Sequence, residues 1–278
     1  MLTTMRERLP DGQEVRIARL GSHGGVPYVL LHGYPDNLHL WGRVAPLLAR
    51  HQDVIAFDWP GMGDSTPWSG GTTPQHQAER LVRLLDHWRI PQADVVGMDM
   101  GGQPALVAAA LHPQRVRRLT VMNSLVIADE RTSWEIDLLR RYGWNRWLLR
   151  RLPRAVFHRA WRTSLPRGVS LPQDLRDDLW RCFARPEVRA FVIRLCVGYQ
   201  ASLPRLPELY RQIRCPTAVI WGARDAHFHP RHGERLREMI PGATFSTIVG
   251  GEHWMVWHAA EMVAAAIRCT ASAGNSAR

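Results

Sequence analysis

The chain has 278 residues, enough for one large α/β domain or two small ones and for a substantial core. Hydrophobic residues are 45% and charged residues 22%, an ordinary globular balance, and no apolar run approaches the length of a membrane span. The net charge of +11 is carried by arginine alone, since the sequence contains no lysine, and 131–214 holds 18 arginines against 7 acidic residues. No nucleic-acid recognition motif accompanies that charge, so a nucleic-acid partner is not expected. Solvated helix faces are the plain reading of the excess; an anionic substrate or an acidic carrier partner is the sharper one.

The N-terminus, MLTTMRERLPDGQEVRIARL, is polar and lacks a signal peptide's apolar stretch, so a cytoplasmic protein without a membrane partner is expected. EVRIARL (14–20) alternates and predicts a strand. PYVLLHG (27–33) is a continuous apolar run ending in glycine, as a buried parallel strand is. A helix is predicted over 38–51, a strand over 53–61 and a helix over 74–90 with Pro74 near its start. A strand over 93–99, a helix over 101–113 and a strand over 116–125 follow. This alternation predicts a doubly wound, mostly parallel sheet.

Residues 127–212 break the pattern with helical periodicity throughout, and five of the twelve tryptophans fall there. The sheet pattern resumes with a strand over 217–225, a helix over 233–240, a strand over 243–251 and a helix over 258–269; the tail 270–278 is small and polar and is expected to be disordered. The expected organisation is therefore a core of 1–126 and 213–278 with 127–212 inserted as a helical cap over the sheet's carboxyl edge. Cys182, Cys196, Cys215 and Cys269 lack metal or disulfide spacing and are expected to be buried free thiols. His227, His229 and His232 lie close in sequence without a matching ligand group elsewhere, so neither a metal nor any other cofactor is expected.

VVGMDMGGQP (95–104) carries the chemistry. A Gly-x-Ser-x-Gly turn from strand to helix exposes a serine; here Gly97 and Gly101 frame Asp99 instead. Asp225 ends the first strand after the helical block, and His253 follows the last strand in GGEHW. Nucleophile, acid and histidine thus come in the order of an α/β-hydrolase triad, each at a strand end on one edge of the sheet. A carboxylate has a chemical reason to stand there. Attack by a serine alkoxide on an alkyl carbon gives an ether, whereas attack by a carboxylate gives an ester that histidine-activated water can cleave. Attack on a carboxylic ester would give an anhydride, so ordinary esterase chemistry is disfavoured.

With these motifs the sequence resembles the α/β-hydrolase superfamily over 14–268, in the aspartate-nucleophile branch of epoxide hydrolases and haloalkane dehalogenases. LLHGYPDN (30–37) matches the His-Gly-x-Pro motif of epoxide hydrolases, and FDWPGMGDS (57–65) the superfamily's loop after the next strand. The resemblance implies Asp99 as nucleophile, His253 as base and Asp225 as its orienting acid. It implies an oxyanion hole from the backbone N–H groups of Tyr34 and Met100, with Pro35 holding that loop and His32 and Pro35 beside the substrate. It also implies proton-donating cap tyrosines: Tyr199 in CVGYQ, and Tyr142 in RRYGWNRW as the nearest candidate for a second, with Trp144 or Trp147 as alternative occupants of that position on the substrate.

The expected reaction is epoxide to vicinal diol on an apolar or aromatic small molecule. Haloalkane or haloacid dehalogenation through the same triad is the alternative. It is weakened by Met100 and Tyr34, where many dehalogenases carry Trp and Asn; Met100 also departs from the common Asp-Trp-Gly of epoxide hydrolases, and fluoroacetate-type enzymes prefer Arg there. A non-catalytic binder has no need of Asp225 and His253. The oligomeric state is left open, a homodimer among the options.

Overall fold

The computed structural model describes residues 1–68 and 70–273. In chain order the elements are β1 (Met5–Arg8), β2 (Glu14–Leu20), β3 (Tyr28–Leu31), α1 (Val44–Leu48), β4 (Val54–Phe57), α2 (Pro74–His87), β5 (Ala93–Met98), α3 (Gly102–Leu111) and β6 (Val116–Met122). Six helices follow: α4 (Trp134–Arg140), α5 (Tyr142–Arg151), α6 (Pro153–Ser164), α7 (Gln173–Phe183), α8 (Pro186–Ser202) and α9 (Leu206–Tyr210). The chain then returns through β7 (Thr217–Gly222), α10 (Arg231–Met239), β8 (Thr244–Ile248), α11 (Met255–His258) and α12 (Ala260–Ala273).

The eight strands form one sheet in the order β1-β2-β4-β3-β5-β6-β7-β8, antiparallel only where β2 meets β1 and β4. The chain runs outward from β3 to β4 and then returns past β3 to β5, so the order reverses between β3 and β5. The crevice at the carboxyl ends of those two strands is where an open α/β sheet binds ligand. β3 and β5 are buried along their whole length because helices cover both faces, which is why they read as unbroken apolar runs. α3 is buried at nearly every position and lies directly behind β5. α2 starts on a Thr73 cap with Pro74 in its first turn and packs Leu81, Leu84 and Leu85 inward.

β1 was not visible in the sequence. Its residues, MRER, are mostly exposed, and it is an edge strand whose register is carried by backbone pairing to β2 (Met5 opposite Ile17) rather than by an apolar pattern. The helix expected over 38–51 is a 3₁₀ turn, Leu38–Gly42, followed by the short α1. At the other end, α12 continues helical through Ala273, so the start of the expected disordered tail is ordered; 274–278 lie outside the described residues. All four cysteines are free, but only Cys182 is buried; Cys196 and Cys215 are half-buried and Cys269 is exposed.

A buried ion network fastens the helical segment to the sheet. Arg16 on β2 donates from Nε to Asp58 at 2.6 Å and reaches Asp178 on α7 at 3.2 Å. Asn37 donates to the same Asp178 at 2.8 Å, and Arg181 binds Asp64 at 2.6 Å. The guanidinium groups hold Asp64 down at about 2. Asp64, Asp178 and Cys182 come close enough to suggest a cation site, but Arg16 and Arg181 already supply the positive charge there. Among the described residues no helix is long and apolar enough to cross a membrane.

Candidate active site

Asp99 sits where β5 turns into α3, with φ of +50°, a left-handed conformation that a non-glycine residue rarely adopts. The turn is tight enough that a Cβ at Gly97 would overlap the Gly101 carbonyl, which explains the glycine at that position. A Cβ at Gly33 would overlap the Asp99 side chain itself, so the loop after β3 lies against the carboxylate. From that loop the Tyr34 N–H donates to Asp99 Oδ2 at 2.7 Å, and the Met100 N–H also bonds the carboxylate. The Tyr34–Pro35 peptide bond is cis.

His253 and Asp225 are both buried, and His253 Nδ1 lies 3.0 Å from Asp225 Oδ2. The other carboxylate oxygen, Oδ1, accepts the backbone N–H of His227 at 2.8 Å and of Phe228 at 3.1 Å. With both oxygens engaged, Asp225 is fixed as an acceptor and directs the Nδ1 proton of His253 toward itself. Burial pushes Asp225 upward, but the imidazolium of His253 and these hydrogen bonds hold it below its ordinary value. Burial pushes His253 down, yet Asp225, Asp99 and Asp36 together raise it to about 9. Asp99 is raised to about 6 by loss of solvent, partly opposed by His253. At neutral pH the site therefore holds an Asp99 carboxylate facing a protonated His253.

These groups open into a cavity of about 260 Å³. Its floor is the sheet edge, with Tyr34, Pro35, Asp99, Met100 and His253; its roof is formed by α4–α6 and α8, largely through apolar side chains such as Leu139, Leu148 and Val156. Tyr199 on α8 is buried in the roof and donates its hydroxyl to the Met100 carbonyl at 3.0 Å, which brings that proton over the elbow. Burial and the nearby Asp99 keep its phenol well above the ordinary value, so it stays protonated. Two arginines reach the lining, but both are occupied. Arg159 binds Glu135 at 2.6 Å, and Arg140 donates to Gln200 at 2.7 Å and to the Ala128 carbonyl at 3.0 Å.

The model of the alpha/beta hydrolase fold matches residues 27–260. The chain belongs to the α/β hydrolase family. Among curated relatives it is similar to the dihydrolipoyllysine-residue acetyltransferase component of the acetoin cleaving system of Cupriavidus necator, 38% identical over 87% of this chain and 62% of that protein. It is 35% identical to a fluoroacetate dehalogenase of Burkholderia sp. over 44% of this chain and 42% of that one. It is 32% identical to a soluble epoxide hydrolase of Corynebacterium sp. over 44% of this chain and 42% of the relative. The matches thus span less than two thirds of each of these relatives.

Within this α/β hydrolase the structure brings together Asp99, His253, Asp225, Tyr199, Tyr34, Met100 and Pro35. Four expected site residues fall elsewhere. His32 is fully buried beneath the cavity, with Nδ1 3.2 Å from Asp36 and Nε2 accepting the Trp59 N–H at 3.1 Å, so it braces the loop and does not touch a ligand. Tyr142, Trp144 and Trp147 are 52%, 55% and 49% exposed on α5. The inward face of that helix is taken by Asn145 and Leu149 at i and i+4, which turns Trp144 and Trp147 away from the cavity, while Tyr142, at the first position of the helix, is exposed at its start. Of the two cap tyrosines, Tyr199 alone lines the cavity.

Two residues escaped the sequence reading. His227 lines the cavity with its ring centroid 5.0 Å from that of His253 and nearly perpendicular to it. Ser133 and Thr163, both from the helical segment, lie 3.0 Å from its two ring nitrogens. Burial and the charge on His253 push it down to about 4, so it is neutral. His229 and His232 do not join it: His229 accepts the Arg231 N–H and His232 lies 3.0 Å from the Arg131 carbonyl. Asn123, at the end of β6 with φ of +40°, donates to the His253 carbonyl at 2.8 Å and accepts the Gly222 N–H at 2.8 Å, tying the histidine loop to the sheet. The signal for His227 was its place two residues after Asp225; for Asn123 it was an asparagine, tolerant of positive φ, closing an apolar strand.

Proposed function

We propose that this α/β hydrolase opens epoxides to vicinal diols through an alkyl ester on Asp99. The observation that carries the reading is a carboxylate, in place of a hydroxyl, on the elbow: Asp99 rests against the Tyr34 N–H at 2.7 Å, beside the His253–Asp225 pair and across from the Tyr199 hydroxyl. Residues 127–212 act as a cap over a core of 1–126 and 213–278, and an apolar epoxide occupies the cavity between them.

In the first step an Asp99 oxygen attacks an epoxide carbon. The carbon–oxygen bond of the ring breaks, and the emerging alkoxide takes the Tyr199 proton. Ester formation removes the negative charge of Asp99, one of the groups that raises His253. The imidazolium then gives up its proton, through solvent, to the Tyr199 phenolate and becomes a neutral base at the moment a base is needed. It deprotonates a water that adds to the ester carbonyl, and the Tyr34 and Met100 N–H groups hold the resulting oxyanion. Collapse expels the diol oxygen, which takes the proton back from His253. The freed Asp99 acid then protonates His253 and restores the resting pair.

A second reading is favoured by the 35% identity to a fluoroacetate dehalogenase: the same carboxylate displacing a halide. The engaged state of Arg140 and Arg159 argues against a carboxylate-bearing substrate. The test is a panel of styrene-type epoxides, haloalkanes and fluoroacetate, with diol and halide both measured and Asp99→Ala as control. Diol without halide is expected. Halide without diol favours the second reading, and turnover by Asp99→Ala at the wild-type rate contradicts both.

A further inference from the structure

Part of the arginine excess and the two tryptophans not turned to the cavity fall on one helix, α5. Residues 138–173 hold nine arginines and no acidic residue. On α5, Trp144 and Trp147 stand one turn apart with ring centroids 6.2 Å from each other, both about half exposed. Arg146, Arg150 and Arg151 are exposed on the same helix. The helix is thus amphipathic twice over: Asn145 and Leu149 face inward, and the outward face pairs indole rings with cations.

The cavity opens at this surface. Leu152, just after α5, and Trp134, at the start of α4, both line the cavity while being 45% and 61% exposed. An exposed apolar rim near the exposed Arg146, Arg150 and Arg151, within a stretch that carries most of the net charge of the chain, is an unusual surface.

We propose that the outer face of α5, with the adjoining starts of α4 and α6, docks on an anionic lipid bilayer. Indole rings beside arginines match the headgroup boundary, where an amphipathic ring sits between acyl chains and water and the cations meet lipid phosphates. A second copy of this chain does not fit, because a two-fold contact would set the arginines against themselves. An acidic protein would satisfy the charge but would cap the cavity mouth, whereas a bilayer leaves the mouth facing the phase that dissolves apolar molecules. Delivery of an epoxide from the bilayer rests on the reaction proposed above; the docking itself does not, and its test uses no substrate. Such docking is a surface contact, since among the described residues no helix is long and apolar enough to cross a membrane, and it departs from the expectation of no membrane partner.

The test is co-sedimentation of the full chain with vesicles of phosphatidylcholine alone and of phosphatidylcholine mixed with phosphatidylglycerol. Binding to the anionic vesicles is expected, weakening with added salt. Arg146→Gln, Arg150→Gln and Arg151→Gln together should weaken it about a hundredfold, and Trp144→Ser with Trp147→Ser about tenfold. These side chains are exposed, so melting temperatures should not change. Should a variant unfold, the wild-type chain still decides the matter, because lipids brominated in the acyl chains should quench its tryptophan fluorescence. Equal binding to both vesicle types, no quenching, or folded variants that bind like wild type would overturn the proposal. So would polyglutamate binding the chain as tightly as the anionic vesicles do.

Discussion

The floor and the roof of the cavity obey different rules. On the floor the triad is held by assigned partners: Asp99 on two backbone N–H groups, Asp225 on His253 and two backbone N–H groups, the His253 loop on Asn123. The roof is largely apolar helix surface, with the Tyr199 hydroxyl brought to the elbow, Ser133 and Thr163 set against His227, and two arginines occupied by neighbours. Strand ends in a buried parallel sheet place side chains to within the tolerance that chemistry needs; packed helices place volume and shape. Reaction type is written on the floor and substrate choice on the roof.

That division can be broken by substitution, and the largest effects belong to the floor. Asp99→Ala should abolish turnover, a loss of about four orders of magnitude or more, measured as diol release from an epoxide. His253→Gln should leave the first step working and stall the second. Steady-state turnover should fall by a factor of roughly a hundred to ten thousand, while one equivalent of substrate is consumed and the ester is seen as added mass on the intact protein. Steady-state loss without added mass would mean His253 acts before the ester forms. Tyr199→Phe should slow alkylation by about a hundredfold and leave ester hydrolysis unchanged in single-turnover kinetics.

Smaller effects come from charge and from the outer face. Because Asp99 is raised to about 6, only its ionised form attacks, so kcat/KM should fall as pH drops through about 6. His253 is raised to about 9 in the folded chain, so the stability it contributes is fully present below its ordinary value of 6.5 and lost as pH rises through 9, an effect on the order of 3 kcal/mol. Denaturant melts of the wild type should weaken between those limits, and His253→Gln should flatten the slope. Tyr142→Phe, by contrast, should change epoxide turnover less than about twofold, because that side chain faces solvent. A larger loss would return Tyr142 to the reaction and blur the line between floor and roof.

The same contrast governs what could be read before a structure existed. The floor was legible because its residues are local signals: glycines framing Asp99, His-Gly-Tyr-Pro after a strand, Asp225 and His253 at later strand ends. The sheet brings them together by topology alone. On the roof, helical periodicity was visible from 127 to 212, but which face of α5 turns inward depends on packing against α8. Trp144 and Trp147 were therefore drawn toward substrate when Asn145 and Leu149 hold the inner face, and Tyr142 although it stands exposed at the start of the helix. His227 was grouped with His229 and His232 by sequence proximity, although the loop after Asp225 carries the three in different directions.

The covalent ester on Asp99 is tested most directly by oxygen tracing. Enzyme in excess converts one equivalent of epoxide in water enriched in heavy oxygen, and the peptide containing Asp99 is then weighed after one cycle and after many. The account predicts an unlabelled diol from the first cycle and heavy oxygen in the Asp99 side chain. A labelled diol from the first cycle, with an unlabelled Asp99 after many, would contradict it.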